Sequence, residues 1–355
     1  MDGASRRPHV SGTSPYLPSP EDLGSSLADE PSFRSLQLTR WLYRSPVLTA
    51  DDMTNLPRSL RETIGSDLWP FDVEIDQSAD GGRTRKWLFR TPDGSAIESV
   101  LMGYPSRTTL CISSQVGCAM ACTFCATGQF GFERHLDAGE MFAQVAYANA
   151  YLRRFPIRDC PNRVTNVVYM GMGEPLANYE RVRESLRRLI DVAGMSARSV
   201  TVSTVGVVPG ILRLADEPWP VYLAVSLHGA DDETRSRLVP LNDRYPLESV
   251  VQAAEHYFAT KGRRISIEWT LIDGANDSDR QARLLAGIAL RLRAHVNVIP
   301  LNPTPLSSDR PSEPDRTHAF LETLMAAGAN ATLRETRGRE IDAACGQLRL
   351  RHTPQ

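Results

Sequence analysis

Four of the chain's six cysteines lie between Cys111 and Cys125, in the stretch "CISSQVGCAMACTFC". Cys118, Cys122 and Cys125 form a C-x3-C-x2-C unit, and Cys111 stands seven residues earlier, at the end of a strand-like run. A tetrahedral zinc site wants four ligands, usually two C-x2-4-C pairs on separate knuckles. No second knuckle follows, because Cys160 and Cys345 are isolated. Closely spaced thiolates also hold iron–sulfur clusters, commonly four to a cubane. Three protein thiolates leave one iron open to a small molecule, so the trio reads as an open catalytic [4Fe-4S] site. Cys111 then remains for other chemistry.

Further polar and small residues recur where strand-like segments end. "GMGEPL" at 171–176 places Gly173 and Glu174 after a strand. Glycine lets backbone approach a ligand closely, and the carboxylate can accept hydrogen bonds from an ammonium group. A tight turn with a solvated glutamate is the plain alternative, and a short glycine motif does not decide between them. Ser203, the tripeptide Ser226-Leu227-His228, and Asn302 close three further strands. Each alone reads as a strand-end cap or a satisfied buried polar group; together they mark one rim. Cys345, in "DAACGQL", would by default be a buried inert thiol, and Glu98, in "AIESVLM", a solvated acid.

The elements that must position these residues alternate along the chain. The strand-like segments are "TTLCIS", "VTNVVYMG", "SVTVSTV", "VYLAVSLH", "ISIEWTLI" and "HVNVIPLN", with amphipathic helical patterns between them. Six β-α units with apolar, β-branched strands imply a parallel sheet covered by helices, either doubly wound or curved into a partial barrel. In both, ligands bind at the carboxyl ends of the strands, where Ser113, Gly171, Ser203, His228 and Asn302 fall. Ahead of this, residues 32–105 read as a small module: helical "SFRSLQLTRWLYRS", a short helix in "TADDMTNLPRSLRETI", and a hairpin turning at Pro-Asp-Gly. Residues 1–31, rich in Ser, Pro and Gly, read as a disordered tail, which leaves 106–350 as the catalytic domain.

With 355 residues, 41% of them hydrophobic and 23% charged, the composition is ordinarily globular. No apolar run approaches the ~20 residues that span a bilayer, and the start has no signal-peptide core. A cytoplasmic, reducing location follows as the expectation, with cysteines serving metal or catalysis rather than a disulfide framework. The formal net charge of −2 leaves the partner open. All but Lys86 and Lys261 of the 40 basic residues are arginine, a skew that fits genomic base composition, so no single arginine pair carries weight. Residues 32–62 hold five arginines against three acids, which suits phosphate contacts or a solvated face.

The C-x3-C-x2-C unit after the first strand of a (βα)6 pattern resembles the radical S-adenosylmethionine enzymes. The likeness goes further. "CISSQVGCAMACTFCATGQFGFERHL", "GMGEPLAN", "VSTVGVVPGI", "SLHGADDETRSRLVPLN", "IPLNPTP" and "RGREIDAACGQL" resemble, in order, the dual-specificity ribosomal-RNA and transfer-RNA adenine C2-methyltransferases. It covers residues 32–350 and is loosest at "SLHGADD", where the family more often has Ala-Pro-Asn after the histidine.

The resemblance implies a partial (βα)6 radical-SAM barrel with an N-terminal RNA-binding module. It implies a [4Fe-4S] cluster on Cys118, Cys122 and Cys125, and two S-adenosyl-L-methionine molecules per turnover. Gly173 and Glu174 would contact the cofactor's amino group, and Ser203, Ser226, Leu227, His228 and Asn302 would complete its pocket. Cys345 becomes the methyl carrier, Cys111 the thiol that resolves the covalent adduct through a disulfide, and Glu98 the base that removes the ring proton. Cys160 matches nothing functional. Partners would be 23S rRNA, transfer RNA and an electron donor such as a flavodoxin or ferredoxin. A sibling group that methylates C8 of the same adenine shares these motifs, and "LNDRYPLESV" leans toward it. A non-catalytic iron–sulfur RNA-binding protein would have no use for Cys111, Cys345 and Glu98 together.

Overall fold

The computed structural model describes residues 14–25, 27, 30–65, 67–304, 306–334 and 337–348. Three short helices open it: α1 (Pro20–Ser25), α2 (Ser32–Thr39) and α3 (Arg58–Gly65). The strands β1 (Asp72–Ala79), β2 (Thr84–Arg90) and β3 (Ala96–Tyr104) follow as an antiparallel meander, with the anticipated turn between β2 and β3. β4 (Arg107–Cys111) pairs antiparallel with β3 and begins the parallel series. A small hairpin, β5 (Gln115–Gly117) and β6 (Phe132–His135), brackets the cysteine loop and the single turn α4 (Ala126–Gln129). Then come α5 (Ala138–Arg154), β7 (Asn166–Tyr169), α6 (Tyr179–Arg187), β8 (Val200–Thr204), α7 (Val208–Asp216), β9 (Tyr222–Ser226), α8 (Asp232–Leu238) and α9 (Leu247–Lys261). β10 (Ser266–Leu271), α10 (Asp279–Arg291), β11 (His295–Pro300), α11 (Pro314–Ala326) and β12 (Asn330–Leu333) complete the series.

Ten strands form one sheet in the order β1-β2-β3-β4-β7-β8-β9-β10-β11-β12. From β4 to β12 every pairing is parallel and neighbours follow chain order. A doubly wound sheet reverses its strand order at a switch point; this one never does, so the partial barrel is the architecture. The six expected strands are all present, and β12 joins them as a seventh.

Two expectations change. The segment read as a disordered tail to residue 31 is in part tightly packed. Tyr16 is fully buried and stacks on Trp69 at 5.1 Å, and its carbonyl accepts from Arg188 Nη1 at 2.7 Å. Ser14 Oγ donates to the Leu68 carbonyl at 2.9 Å, and Leu23 is buried. A few aromatic and apolar side chains suffice to hold a Ser/Pro-rich segment when a groove awaits them; residues 1–13 lie outside the described residues. The boundary at 105 also moves, because β1–β3 extend the barrel's own sheet through β3–β4 pairing. Only the helical part of the module stands apart from that sheet.

The core is one large cluster of Val, Ile, Leu and aromatic side chains between the sheet and its outer helices. α5 is anchored at its start by a capping box, Asp137 with Glu140, that satisfies two orphan amides. Arg134 ties Glu140 to Asp93 of the β2–β3 turn, so the cluster hairpin is braced against the extension.

Candidate active site

The cysteine loop is held open between β5 and β6. Cys118 N donates to the Gly131 carbonyl at 2.8 Å, and a Cβ on Gly117 (φ +73°) would lie 1.9 Å from that oxygen. Only glycine permits this closure. Ala121 takes φ +52° in the same loop, and His228 takes φ +57° at the end of β9. Left-handed backbone at non-glycine residues costs of order 1–3 kcal/mol each and concentrates at functional sites.

Two adjoining cavities open at the carboxyl ends of the strands. The first is lined by Cys118, Cys122 and Cys125 together with Gly173, Glu174, Ser203, Ser226 and His228. The second lies between β3, β4, β7 and the segment after β12, and is lined by Cys111, Asn302, Arg334 and Arg337 among apolar side chains. Cys125 and Cys345 border both. The sequence-derived rim residues are therefore gathered on one face, with three exceptions. Ser113 is fully buried and lines neither cavity, its Oγ donating to the Glu98 carbonyl at 2.6 Å. The Leu227 side chain is fully buried in the apolar core, where its amide donates to the Glu268 carbonyl at 3.2 Å. Glu98 lines neither cavity: Lys86 Nζ holds it at 3.3 Å, and both side chains are almost wholly buried. Its expected position at the site thus gives way to a buried ion pair, although Glu98 shares a face of β3 with Val100, which sits opposite Cys111.

Burial pushes the Cys118 thiol up to about 12 and raises Cys122 and Cys125; Cys125 adds to the shift of both Cys118 and Cys122, and Cys118 to that of Cys122. Neutral buried thiols are what a metal must deprotonate on binding. Arg235, fully buried, brings a positive charge near Cys122; burial in turn lowers the guanidinium to about 10. Among the described residues no three His, Cys, Asp or Glu side chains converge tightly enough to grip a single ion. Cys118, Cys122 and Cys125 do line one cavity, and a set of thiol donors is the chemistry that holds iron–sulfur groups. In the adjoining cavity, Asn302 Nδ2 donates to the Cys345 carbonyl at 3.1 Å, while its buried Oδ1 has no protein partner and is open to a bound donor.

Glu174 caps the short turn at Pro175–Asn178. Its Oε1 accepts from Leu176 N at 3.0 Å, its Oε2 from Val205 N at 2.9 Å, and its own amide donates to Gln115 Oε1 at 2.8 Å. Burial nevertheless raises the carboxyl to about 7, against those amides. A cationic amino group entering the cavity would return it to the carboxylate. His228 is buried edge-on to Phe124 at 4.6 Å, and its Nδ1 accepts from Thr270 N at 3.0 Å. Burial lowers it to about 3, so the ring is neutral.

Cys345 rides on a strap, residues 337–348, that crosses from the β12 side to the β1–β3 extension. Gly338 N donates to Asp80 Oδ2, Lys86 Nζ to the Asp342 carbonyl, Ala126 N to the Gly346 carbonyl, and Thr127 Oγ1 to the Leu348 carbonyl. Leu348 packs with Val100, Cys111 and Met172. The strap sets Cys345, exposed, beside Cys111, buried and raised to about 12 chiefly by that burial. All six cysteines are free, so no disulfide joins the two. Sequence reasoning missed Arg334 and Glu268, which no local motif marks, and Gln115, which lies within the cysteine stretch but was not singled out.

Comparison with known proteins places this geometry. Residues 112–285 match the radical SAM superfamily, and residues 25–67 match the ribosomal RNA large subunit methyltransferase N-terminal domain. A probable dual-specificity RNA methyltransferase RlmN from Parafrankia sp. (strain EAN1pec) is 51% identical, covering 90% of this chain and 86% of its own. The chain belongs to the RlmN family. Its RlmN relative from Rhodococcus erythropolis is 49% identical over 90% of this chain and 89% of that one. A crystal structure of a radical SAM methyltransferase from Sphaerobacter thermophilus superposes with a TM-score of 0.89 at 46% identity, covering 95% of this chain and 99% of that one. The two family matches end at 67 and begin at 112, so β1–β4 lie between them.

Proposed function

We propose that this enzyme methylates an adenine of 23S ribosomal RNA at C2, and an adenine of transfer RNA likewise, through a methyl group carried on Cys345. One observation supports this reading above the rest: Cys345 borders both cavities, with Cys111 beside it in one and the cysteine trio with Glu174 in the other. A [4Fe-4S] cluster on Cys118, Cys122 and Cys125 would supply the electron for reductive cleavage of S-adenosylmethionine, delivered by a flavodoxin- or ferredoxin-like donor. Glu174 holds the cofactor's amino group. Cys345 would take its methyl group from one S-adenosylmethionine and give up one hydrogen atom of it to the fragment cleaved from a second. Joining that carbon to ring C2 releases one proton and one electron, the electron returning to the cluster that would have supplied it. The base is left joined to the enzyme through the carrier sulfur. Cys111 then attacks that sulfur: the S–S bond forms, the S–C bond breaks, and its electron pair stays on the methylene carbon, which takes a proton. Glu98 takes the C2 proton after its carboxylate swings from Lys86 toward the cavity.

Ring C2 lies between two nitrogens and is electron-poor, so it does not attack an electrophilic sulfonium; a carbon carried on sulfur avoids that mismatch. Nucleoside mass spectrometry of 23S RNA, treated anaerobically with reconstituted protein, S-adenosylmethionine and reductant, tests the proposal. 2-Methyladenosine is expected. 8-Methyladenosine would move the chemistry to the sibling position, and no methyladenosine would leave an RNA-binding iron–sulfur protein. Cys345→Ala should keep the cluster's visible absorption and abolish methylation.

A further inference from the structure

The barrel strands alternate more sharply than a packed barrel requires. Toward the helices stand Leu110, Val167, Val202, Leu223, Ile267 and Val298, all fully buried in the core. On the inner face, near the amino ends, stand Thr109, Asn166, Thr201, Ser266, Asn297 and Thr332. The interior of a closed barrel of this kind is filled by bulky branched side chains. Here the polar ring instead lines a cavity of about 1230 Å³. Its wall residues Arg107, Tyr222 and Thr332 are exposed, so it opens at the amino ends of the strands. Its inner end is Met170, Glu268 and Arg334. Met170 and Arg334 also line both active-site cavities, and Glu268 lines the one that holds the cysteine trio. The Glu268 side chain is only 6% exposed. Its Oε1 accepts from Ser266 Oγ at 2.7 Å and from Asn297 Nδ2 at 3.0 Å. Its buried Oε2 has no hydrogen-bond partner in the protein, and Arg334 Nη1 stands 3.8 Å away, beyond hydrogen-bond reach. A buried carboxylate oxygen facing a roomy polar cavity is a site for water.

We infer that this lumen is a hydrated passage through which Glu268 hands protons from bulk water to the active site while RNA covers the opposite mouth. This rests on the methyl-carrier reading above and adds where one proton of that reaction comes from. When Cys111 attacks the Cys345 sulfur, the S–C bond breaks and its electron pair stays on the methylene carbon, which needs a proton. The base lies over Cys345 at that moment, so the carboxyl-end mouth is closed to bulk water. Among the described residues lining the two active-site cavities, the only carboxyls are Glu174 and Glu268. Glu174 is engaged by the cofactor's amino group, which leaves Glu268. Its Oε2 proton passes to the carbon, the carboxylate recovers a proton from lumen water, and the hydroxide left behind escapes through the amino-end mouth. The other charged or titratable groups on the lumen wall are Arg334, Tyr104, Arg107 and Tyr222. None of them is a carboxyl, so the relay falls to Glu268.

Two measurements on cluster-reconstituted protein test the passage and the relay separately. Thr201→Cys puts a thiol on the lumen wall, whereas Cys345 is exposed at the active site. Labelling by a trimethylammonium-ethyl methanethiosulfonate is followed by peptide mass spectrometry, with and without a saturating RNA hairpin containing the target adenine. The T201C thiol should react equally in both, while Cys345 becomes protected by RNA. Protection of both thiols, protection of neither, or a T201C thiol that never reacts overturns the passage. For the relay, E268Q keeps an acceptor for Ser266 and Asn297 but carries no proton. Its kcat should fall by about 10²–10⁴-fold, the range of general acid–base catalysis. KM for RNA should stay unchanged, and a covalent RNA–protein adduct should accumulate on denaturing gels. E268D should restore turnover and clear the adduct, which a merely structural role would not do. Parent-like turnover in E268Q, or slow turnover with no adduct, overturns the relay and leaves the methylation reading standing. A parent that forms no methyladenosine overturns the carrier reading and the relay with it, whereas T201C labelling still decides the passage.

Discussion

Lys86 and Glu98 make the most exacting test of how the strap is supported. Their charged atoms are 3.3 Å apart, with side chains only 4% and 2% exposed. At an effective dielectric near 20 the attraction is about 5 kcal/mol. Removing the two groups from water costs several kcal/mol apiece, so the intact pair adds little net stability. Breaking it is another matter, because one buried charge is then left without its partner. Lys86→Met or Glu98→Met alone should destabilise the fold by about 3–5 kcal/mol in urea unfolding. The double variant K86M/E98M should recover most of that loss, since two apolar chains of similar length fill the same space. The coupling energy from the four chains should thus be several kcal/mol. Lys86 additionally donates to the Asp342 carbonyl, so K86M should also speed amide exchange in the strap, whereas E98M should do so less. If the two single losses simply add in the double variant, the charges are not coupled and the burial argument is wrong.

Three other outcomes follow from geometry already described. Gly173→Ala would put a Cβ 2.5 Å from Gln115 Cβ at a φ of +100°; cofactor affinity measured by calorimetry should fall at least about tenfold, roughly 1.4 kcal/mol. With the Glu174 carboxyl raised to about 7, cofactor binding should strengthen as pH rises through that value and level off above it, and E174Q should bind weakly with a flatter profile. His228, lowered to about 3, refuses a proton that the unfolded chain accepts near pH 6.5. Its contribution is fully present above that pH, and the parent should lose about 1.4 kcal/mol of stability per unit as pH falls toward 3, relative to H228N.

Local pattern carried the barrel a long way. β4 and β7–β11 announce themselves as apolar, β-branched runs, and their ends collect Gly171, Ser203 and His228 on one rim because parallel strands share a direction. β12 is four residues, "NATL", with little apolar content; it is a strand because β11 offers an edge, a cause that lies elsewhere in the chain. The same holds for Tyr16, whose burial depends on Trp69 and Arg188. At the site, the cysteine trio was legible from spacing, since neighbouring ligands must come from one loop. The approach of Cys345 to Cys111 was legible only through family resemblance. Arg334 and Glu268 were not legible at all: their place is set by barrel curvature, and isolated charges carry no periodic signal. Glu98 shows the converse: read locally as a solvated acid, it is buried against Lys86, a partner known only once β2 and β3 are paired.

The strap has a consequence for how the protein is born. Its anchors are drawn from the β1–β2 connection, β2, the helical turn after the cysteine loop and the segment following β11, all of them made earlier by the ribosome. At about 5–20 residues per second, roughly 10–40 s of synthesis separate Cys125 from Cys345. During that interval the parallel strands and the trio's loop can assemble with that side of the barrel still open and the exposed thiol not yet made. Cys345 is the last of the six cysteines to be made, so under the proposed assignment a cluster assembled on the trio in that window would form without the proposed carrier thiol competing for metal.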